Sequence, residues 1–548
     1  MSLRGFFHNP KALTMLGTML ALFLAALDQT IIATALPEIV RELGDLEHLS
    51  WVFTAYLLAS TVTVPLFGKL SDRYGRRPFF LAGIVIFLAG SALSGTATSM
   101  LSLALFRGLQ GIGGGAIMVN AFAVIGDLFP PAERARWQGL ISSVWGAASI
   151  AGPLVGGVLT DLIGWRSIFY INIPIGLLAL AVIALTLSRS ATAKTKGPLD
   201  VWGAGTLSVA LASLLLAVTS GGHTFAWLSL PIFGLLFLSV ISFAAFYRIE
   251  RRARDPILPL SLFRNRAFTH SVAGIFLMVI AMFSVVLFLP LFAQGVVGFS
   301  AIHAGLILTP LVLSMVVVST VNGQIIFRTG RYKPMLLAGL AMVATGVYLL
   351  SSMTADTTAN ELIRNMIIIG LGLGVSMPVF TMIAQSAFGR ERLGVVTATA
   401  QLSRSVGASL WTALLGGVFS HALALRLNAI DTRALGGDSG ATIQNVQSLL
   451  TPAGQEAART ALSSFGPEAS AAQAGFDGAL HELQIAFSGA LSDVYTVALV
   501  VIIAGIAVAY FMPAISLRRT HRTPAEEAAI GLEEELGMLD ARHEPRRR

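Results

Sequence analysis

The chain has 548 residues, 55% of them hydrophobic and 12% charged, with a mean hydropathy of +0.76 and a formal net charge of +8. Soluble domains carry about 25% charged residues, so these values exclude a soluble globular protein and require an integral membrane protein. Cysteine is absent and the nine histidines are scattered without metal-ligand spacing, which excludes disulfides and a thiolate or His-cluster metal site.

A spanning helix needs about 20 mostly apolar residues. Fourteen such runs are predicted: 14–36, 50–68, 79–98, 101–125, 137–160, 167–188, 200–219, 226–246, 268–293, 302–323, 334–353, 361–386, 394–418 and 487–513. The first could be read as a cleaved signal peptide, with Arg4 and Lys11 ahead of it and Ala33-Thr34-Ala35 as a cleavage site. A retained helix is the better expectation, because the run is long and cleavage would discard its acid. Basic residues test the count. Of 37 Lys and Arg, 29 fall in the segments on one side of alternating spans. Five fall on the other (Arg41, Arg166, Arg426, Arg433, Arg459), and Arg107, Arg364 and Arg404 lie within spans. By the positive-inside rule both termini are expected in the cytoplasm of a multi-pass inner or plasma membrane protein.

The expected organisation is all-α. It comprises a cytoplasmic N-terminus 1–13, a six-helix bundle 14–188, an inserted helix pair 200–246 and a cytoplasmic amphipathic linker 247–267. A second six-helix bundle 268–513 follows, with a long external loop 420–486, and then a cytoplasmic tail 514–548. The linker reads either as a helix lying in the membrane surface or as a basic segment serving topology. Within the loop, Thr442–Leu450, Ala453–Leu462 and Ala471–Phe487 have helical composition, and short external helices are expected there.

Segment 68–77, Gly68-Lys69-Leu70-Ser71-Asp72-Arg73-Tyr74-Gly75-Arg76-Arg77, recurs in outline 255 residues later. Gly323, Arg328, Gly330 and Arg331 keep the frame, and Phe327 stands at the position of Asp72. Agreement at one offset, in loops of the same sidedness, points to a duplicated architecture.

Asp28 is the one acid deep in a predicted span, about 12 Å from its outer end. Intramembrane acids mark ion or substrate pathways. Desolvation favours the neutral form of a carboxyl, so Asp28 is the expected proton site. Arg107, about 9 Å deep in span four, lies at a similar level and could pair with it. Arg404, about 15 Å into span thirteen, is expected to touch substrate, to pair with an acid or to reach the surface along its stem. Asp493 is a second acid nearer an interface. Asn120, Trp145, Met278, Gln294, Met377 and Gln385 are coarse candidates for a substrate cavity. The glycines and Asp72 of the 68–77 segment, with Arg73, Arg76 and Arg77, suit a gate in which Arg76 reaches an acid such as Asp127. Gly113, Gly114 and Gly115 are not a phosphate loop, no ATPase signature is present and no nucleophile–base pair appears. The expectation is therefore a non-enzymatic carrier, without cofactor, driven by an ion gradient.

The 68–77 segment resembles the signature between the second and third helices of the major facilitator superfamily. Arg107-Gly108-Leu109-Gln110-Gly111-Ile112-Gly113 resembles that superfamily's fourth-helix signature. Gly146, Gly152, Pro153, Gly156 and Gly157 resemble the fifth-helix antiporter signature. Leu27-Asp28-Gln29-Thr30 closing on Ala35-Leu36-Pro37 resembles the first-helix signature of the fourteen-span drug:proton antiporters of the EmrB/QacA type. The resemblance covers about residues 14–418 and the last span. It implies two six-helix bundles around a central cavity, proton coupling at Asp28 and Arg107, gating by segment 68–77, and multidrug efflux of lipophilic or cationic compounds conferring antibiotic resistance. A monomer is expected. The many Met and Phe with few charges fit an adaptable apolar cavity. Two other readings remain open on the sequence: a lipid or glycolipid exporter on the same fold, and a non-transporting membrane ligand sensor.

Overall fold

The computed structural model describes residues 10–44, 49–188, 200–222, 225–299, 306–389, 392–427, 460 and 469–513. Fourteen helices of fifteen residues or more occur among them. The first six are α1 (Pro10–Leu43), α2 (Leu49–Tyr74), α3 (Arg76–Gly95), α4 (Met100–Leu128), α5 (Pro131–Leu162) and α6 (Asn172–Thr186), the last preceded by one turn over Ser167–Tyr170. Then come α7 (Val201–Ser220) and α8 (Leu230–Glu250). The final six are α9 (Arg266–Gly295), α10 (Thr309–Thr329), α11 (Lys333–Ser351), α12 (Ala359–Ser386), α13 (Leu393–Leu427) and α14 (Ala469–Tyr510). Among the described residues, thirteen stretches are long and apolar enough to cross a membrane. Helix α5, of 32 residues, packs between α1 and α10.

The helix neighbours repeat. In the first half α4 packs on α2, α3 and α1, while α1 also packs on α5 and α6, and α3 on α6. In the second half α12 packs on α10, α11 and α9, while α9 also packs on α13 and α14, and α11 on α14. The halves meet reciprocally, α5 against α10 and α13 against α2. The pair α7–α8 stands outside this pattern, with α7 against α2 and α13.

Glycines explain the tight crossings. A Cβ on Gly111 or Gly115 of α4 would collide with the carbonyl oxygens of Tyr56 and Ser60 on α2, and one on Gly113 would meet α3. At an offset of 259 residues, a Cβ on Gly370 or Gly374 of α12 would collide with the Leu311 and Met315 carbonyl oxygens of α10, and one on Gly372 would meet α11. Gly75 (φ 97°) and its repeat partner Gly330 (φ 68°) both take the left-handed backbone that favours glycine.

Three expectations change. The linker after α8 is not a long surface helix: Pro256 and Pro259 interrupt helical hydrogen bonding, and only a 3-10 turn over Leu260–Arg264 forms. Its Asp255 instead takes Lys69 and Arg73, the latter at 3.0 Å, which docks the linker on the 68–77 segment. The helical stretch from Ala471 is no separate external helix but the start of α14, which has 42 residues and is about 63 Å long at 1.5 Å per residue. Likewise α13 runs to Leu427, beyond the expected end at 418. Thr442–Leu450, nearly all of Ala453–Leu462, and the tail lie outside the described residues.

Candidate functional site

Asp28 of α1 is 1% exposed, and both its carboxylate oxygens accept hydrogen bonds. Arg107 Nη1 of α4 donates to its Oδ2 at 2.5 Å. Gln110 Nε2, one turn along α4, donates to Oδ1 at 2.8 Å, and Asn172 Nδ2 of α6 donates to the same oxygen at 3.0 Å. Asn172 Nδ2 also reaches Ser91 Oγ of α3 at 2.9 Å, while its Oδ1 is buried without a partner. Arg107 further donates to Gln110 Oε1 at 2.7 Å and lies over the Tyr56 ring of α2, 4.4 Å from its centre. Five helices thus converge on one carboxylate. The close crossing of α2 on α4, made by Gly111 and Gly115, is what brings Tyr56 under the guanidinium.

The neighbouring residue, Gln29, lies on the wall of a cavity of about 1080 Å³ between the halves. Gln29 Nε2 approaches the Tyr56 hydroxyl at 3.5 Å, which links the wall to the buried pair. The cavity is bounded by α1, α2, α4 and α5 on one side and α9, α10, α12 and α13 on the other. The α7–α8 connection also contributes, through Gly222 and Trp227. Its lining is mostly aliphatic, Met and aromatic, with Ser and Thr interspersed. Such an apolar, adaptable wall can hold lipophilic compounds of varied shape.

The cavity is sealed at the end that carries segment 68–77. Asp72 accepts from the Gly394 and Val395 amides, both at 2.7 Å, at the N-terminus of α13, where carboxylates are favoured. Arg76 pairs with Asp72 and donates to Asp127 at 3.0 Å. A Cβ on Gly68 would lie 2.5 Å from Ala398 Cβ, so glycine permits this approach of α2 to α13. Gln385 Nε2 donates to the Phe122 carbonyl and to Thr397 Oγ1, each at 3.1 Å. Arg134 of α5 donates to the Gln385 carbonyl at 3.1 Å. At the opposite end, Trp227, Phe419 and His421 line the cavity.

The structure brings together Asp28 and Arg107, and it brings Asp72, Arg76 and Asp127 together within the first half, with Asp72 reaching the second half through the Gly394 and Val395 amides. Arg73 serves Asp255, and Arg77 Nη2 donates to the Ala184 carbonyl at 2.5 Å, at the end of α6. Trp145, Met377 and Arg404 line the cavity. The other substrate candidates do not. Asn120 is fully buried and donates to the Ala116 carbonyl of its own helix, and Met278 packs against Gly505 of α14. Gln294 donates to the Pro290 carbonyl, and Gln385 belongs to the seal. Asp493 is paired with Arg426 at 2.7 Å, is 45% exposed and lies off the cavity wall. On α5, a Cβ on Gly146 would collide with Val312 of α10 and one on Gly152 with Thr30 of α1. Gly156 is buried, and Gly157 faces open space. Pro153 lies within α5, and its side chain is outside the described residues.

Sequence reasoning missed Gln110, Asn172 and Tyr56 around Asp28, and Arg134 and Asp255 at the seal. Gln110 was accessible, since it stands three residues after Arg107 on one helix face. Asn172 carried no signal, because only the packing of α6 on α1 and α3 brings it to Asp28.

A profile of the Major Facilitator Superfamily matches residues 18–412. The chain is 43% identical to the multidrug transporter protein MdtP of Bacillus subtilis over 75% of this chain and 76% of that protein. It is 34% identical to the tetracenomycin C resistance and export protein of Streptomyces glaucescens, over 74% and 75% respectively. The fold is similar to that of the human organic anion transporter MFSD10 (TETRAN), with a TM-score of 0.58 at 14% identity over 90% of this chain and 100% of that one.

Proposed function

The chain belongs to the major facilitator superfamily, and we propose that it exports lipophilic, drug-like compounds in exchange for protons by alternating access. The relatives' names support drug efflux, and the observation that carries proton coupling is the buried Asp28–Arg107 pair immediately behind the cavity wall. Ionised Asp28 is held by three hydrogen bonds, one from a guanidinium and two from side-chain amides. A proton on Asp28 removes the charge that Arg107 pairs with and leaves Asn172 Oδ1 able, after an amide flip, to accept from the new hydroxyl. Both changes loosen the contacts among α1, α4 and α6.

With the termini in the cytoplasm, as the distribution of Lys and Arg supports, the sealed end is the cytoplasmic one and the cavity faces outward. Opening to the cytoplasm then requires Asp72 to leave the α13 amides and Arg134 to leave the Gln385 carbonyl. In this reading the cell or plasma membrane is the site of action, and the partners are protons, lipid and a small lipophilic substrate. The test is proton release from the purified protein in detergent when a lipophilic compound is added. Release by the wild type that is lost in Asp28→Asn is expected. Substrate binding with no proton released by the wild type would overturn the coupling assignment.

A further inference from the structure

Arg404 differs from the buried arginines of the described residues. Arg76 pairs with two carboxylates, Arg107 with Asp28, and Arg134 with three carbonyl oxygens. Arg404, on α13, lines the cavity, and its Nε is buried without a hydrogen-bond partner. No carboxylate of the described residues pairs with it, and none lines the cavity at all. Its guanidinium lies 5.9 Å from the centre of the Phe122 ring on α4, so cation and aromatic face the same space from opposite halves. An uncompensated charge in such a site is costly, and the planar fork of an arginine matches a carboxylate or phenolate better than any other side chain does.

We propose that Arg404 and Phe122 form a subsite for the anionic group of aromatic substrates, a carboxylate or phenolate whose ring lies along Phe122 and Trp145. The cavity therefore selects anionic over permanently cationic aromatics, where the sequence led to an expectation of lipophilic or cationic compounds. The inference rests on the efflux reading only in taking the cavity as the substrate site.

The experiment is dye binding to the purified full chain in detergent at pH 7.5, followed by fluorescence anisotropy. The probes are anionic 2′,7′-dichlorofluorescein, cationic rhodamine 6G and neutral Nile red. The wild type is expected to bind dichlorofluorescein more tightly than rhodamine 6G. Arg404→Gln should weaken dichlorofluorescein at least about tenfold more than Nile red, the loss expected of a charge-assisted hydrogen bond. Arg404→Lys should recover part of that loss. A wild-type preference for rhodamine 6G, binding of none of the dyes, or an equal effect of Arg404→Gln on all three would overturn the subsite. Binding needs no proton gradient, so the two readings fail separately. The expected binding pattern without proton-driven dye movement in proteoliposomes would overturn the transport reading and leave the subsite standing.

Discussion

A carboxylate and a guanidinium 2.5 Å apart and each 1% exposed make a site in which one partner cannot be altered alone. Breaking a buried pair by removing one charge typically costs about 3–5 kcal/mol, whereas replacing both with neutral groups costs much less. Asp28→Asn should therefore lower the thermal stability of the detergent-solubilised protein as well as abolish proton release. Asp28→Asn combined with Arg107→Gln should regain most of the stability and none of the proton release. Recovery of proton release in the double variant would show that the proton sits elsewhere. A second carboxylate is sensitive to pH in the opposite direction from a proton carrier. Glu42, just beyond the spanning part of α1, accepts from the Trp165 indole and from Arg166, each at 2.6 Å, and these bonds hold its carboxyl below the ordinary value of 4.5. A carboxyl depressed in the folded state stabilises the fold above the ordinary value, and that contribution disappears as pH falls through the folded one. Melting temperatures of the wild type and Glu42→Gln should thus differ at neutral pH and converge in the acid range below 4.5. An unchanged difference at the acid limit would exclude the Glu42 contacts as its source.

At the scale of helices, the repeat that the loops suggested at an offset of 255 reappears in the interior at 259, where Gly111, Gly113 and Gly115 correspond to Gly370, Gly372 and Gly374. Each triplet lets one helix press on two neighbours through backbone atoms, which cannot rotate away from an added methyl group. Gly115→Ala and Gly374→Ala should each destabilise by about 1–3 kcal/mol, as overpacking does. Gly205→Ala, on a face of α7 open for 4 Å, should be neutral or slightly stabilising. Thermal unfolding of the three variants decides this, and equal shifts would mean that the crossings have slack. The same offset carries Arg107 to Met366 and Gln110 to Ile369, both buried on α12. The scaffold is duplicated, but the polar cluster is built in one half only, with apolar packing at the matching level of the other.

For the molecule as a whole, a cavity between the halves that is closed at the 68–77 end describes one of the two states that alternating access requires. Asp72 bridges the halves through two amide hydrogen bonds to α13, so Asp72→Asn should populate the state open at that end. Spin labels on cysteines introduced near Gly68 and Gly394 of this cysteine-free chain would then show a longer distance distribution than in the wild-type background. An unchanged distribution would mean that α2 and α13 are held by packing alone. The sign of the substrate has a consequence at this scale too. Exchange of one proton inward for one cation outward moves no net charge, whereas exchange for a monoanion moves two charges. Each is worth about 2.3 kcal/mol per 100 mV, so export of the anion should accelerate steeply with an inside-negative potential set by potassium and valinomycin.

By itself the sequence determined the membrane class, the all-helical fold with the approximate limits of most of its helices, the loop repeat, and the two residues at the centre of the polar cluster. These follow from local causes: bilayer thickness sets run length, and burying a charge in hydrocarbon is costly enough for Asp28 and Arg107 to stand out against their neighbours. Only the tertiary structure decided that Gln110 and Asn172 complete the shell of Asp28, that the linker docks on the 68–77 segment, that Asn120 and Met278 are packing, and that Arg404 faces a cavity with no acid in its wall. Each of these depends on which helices become neighbours, and an Asn or Arg inside an apolar run looks the same in sequence whether a partner from another helix meets it or not.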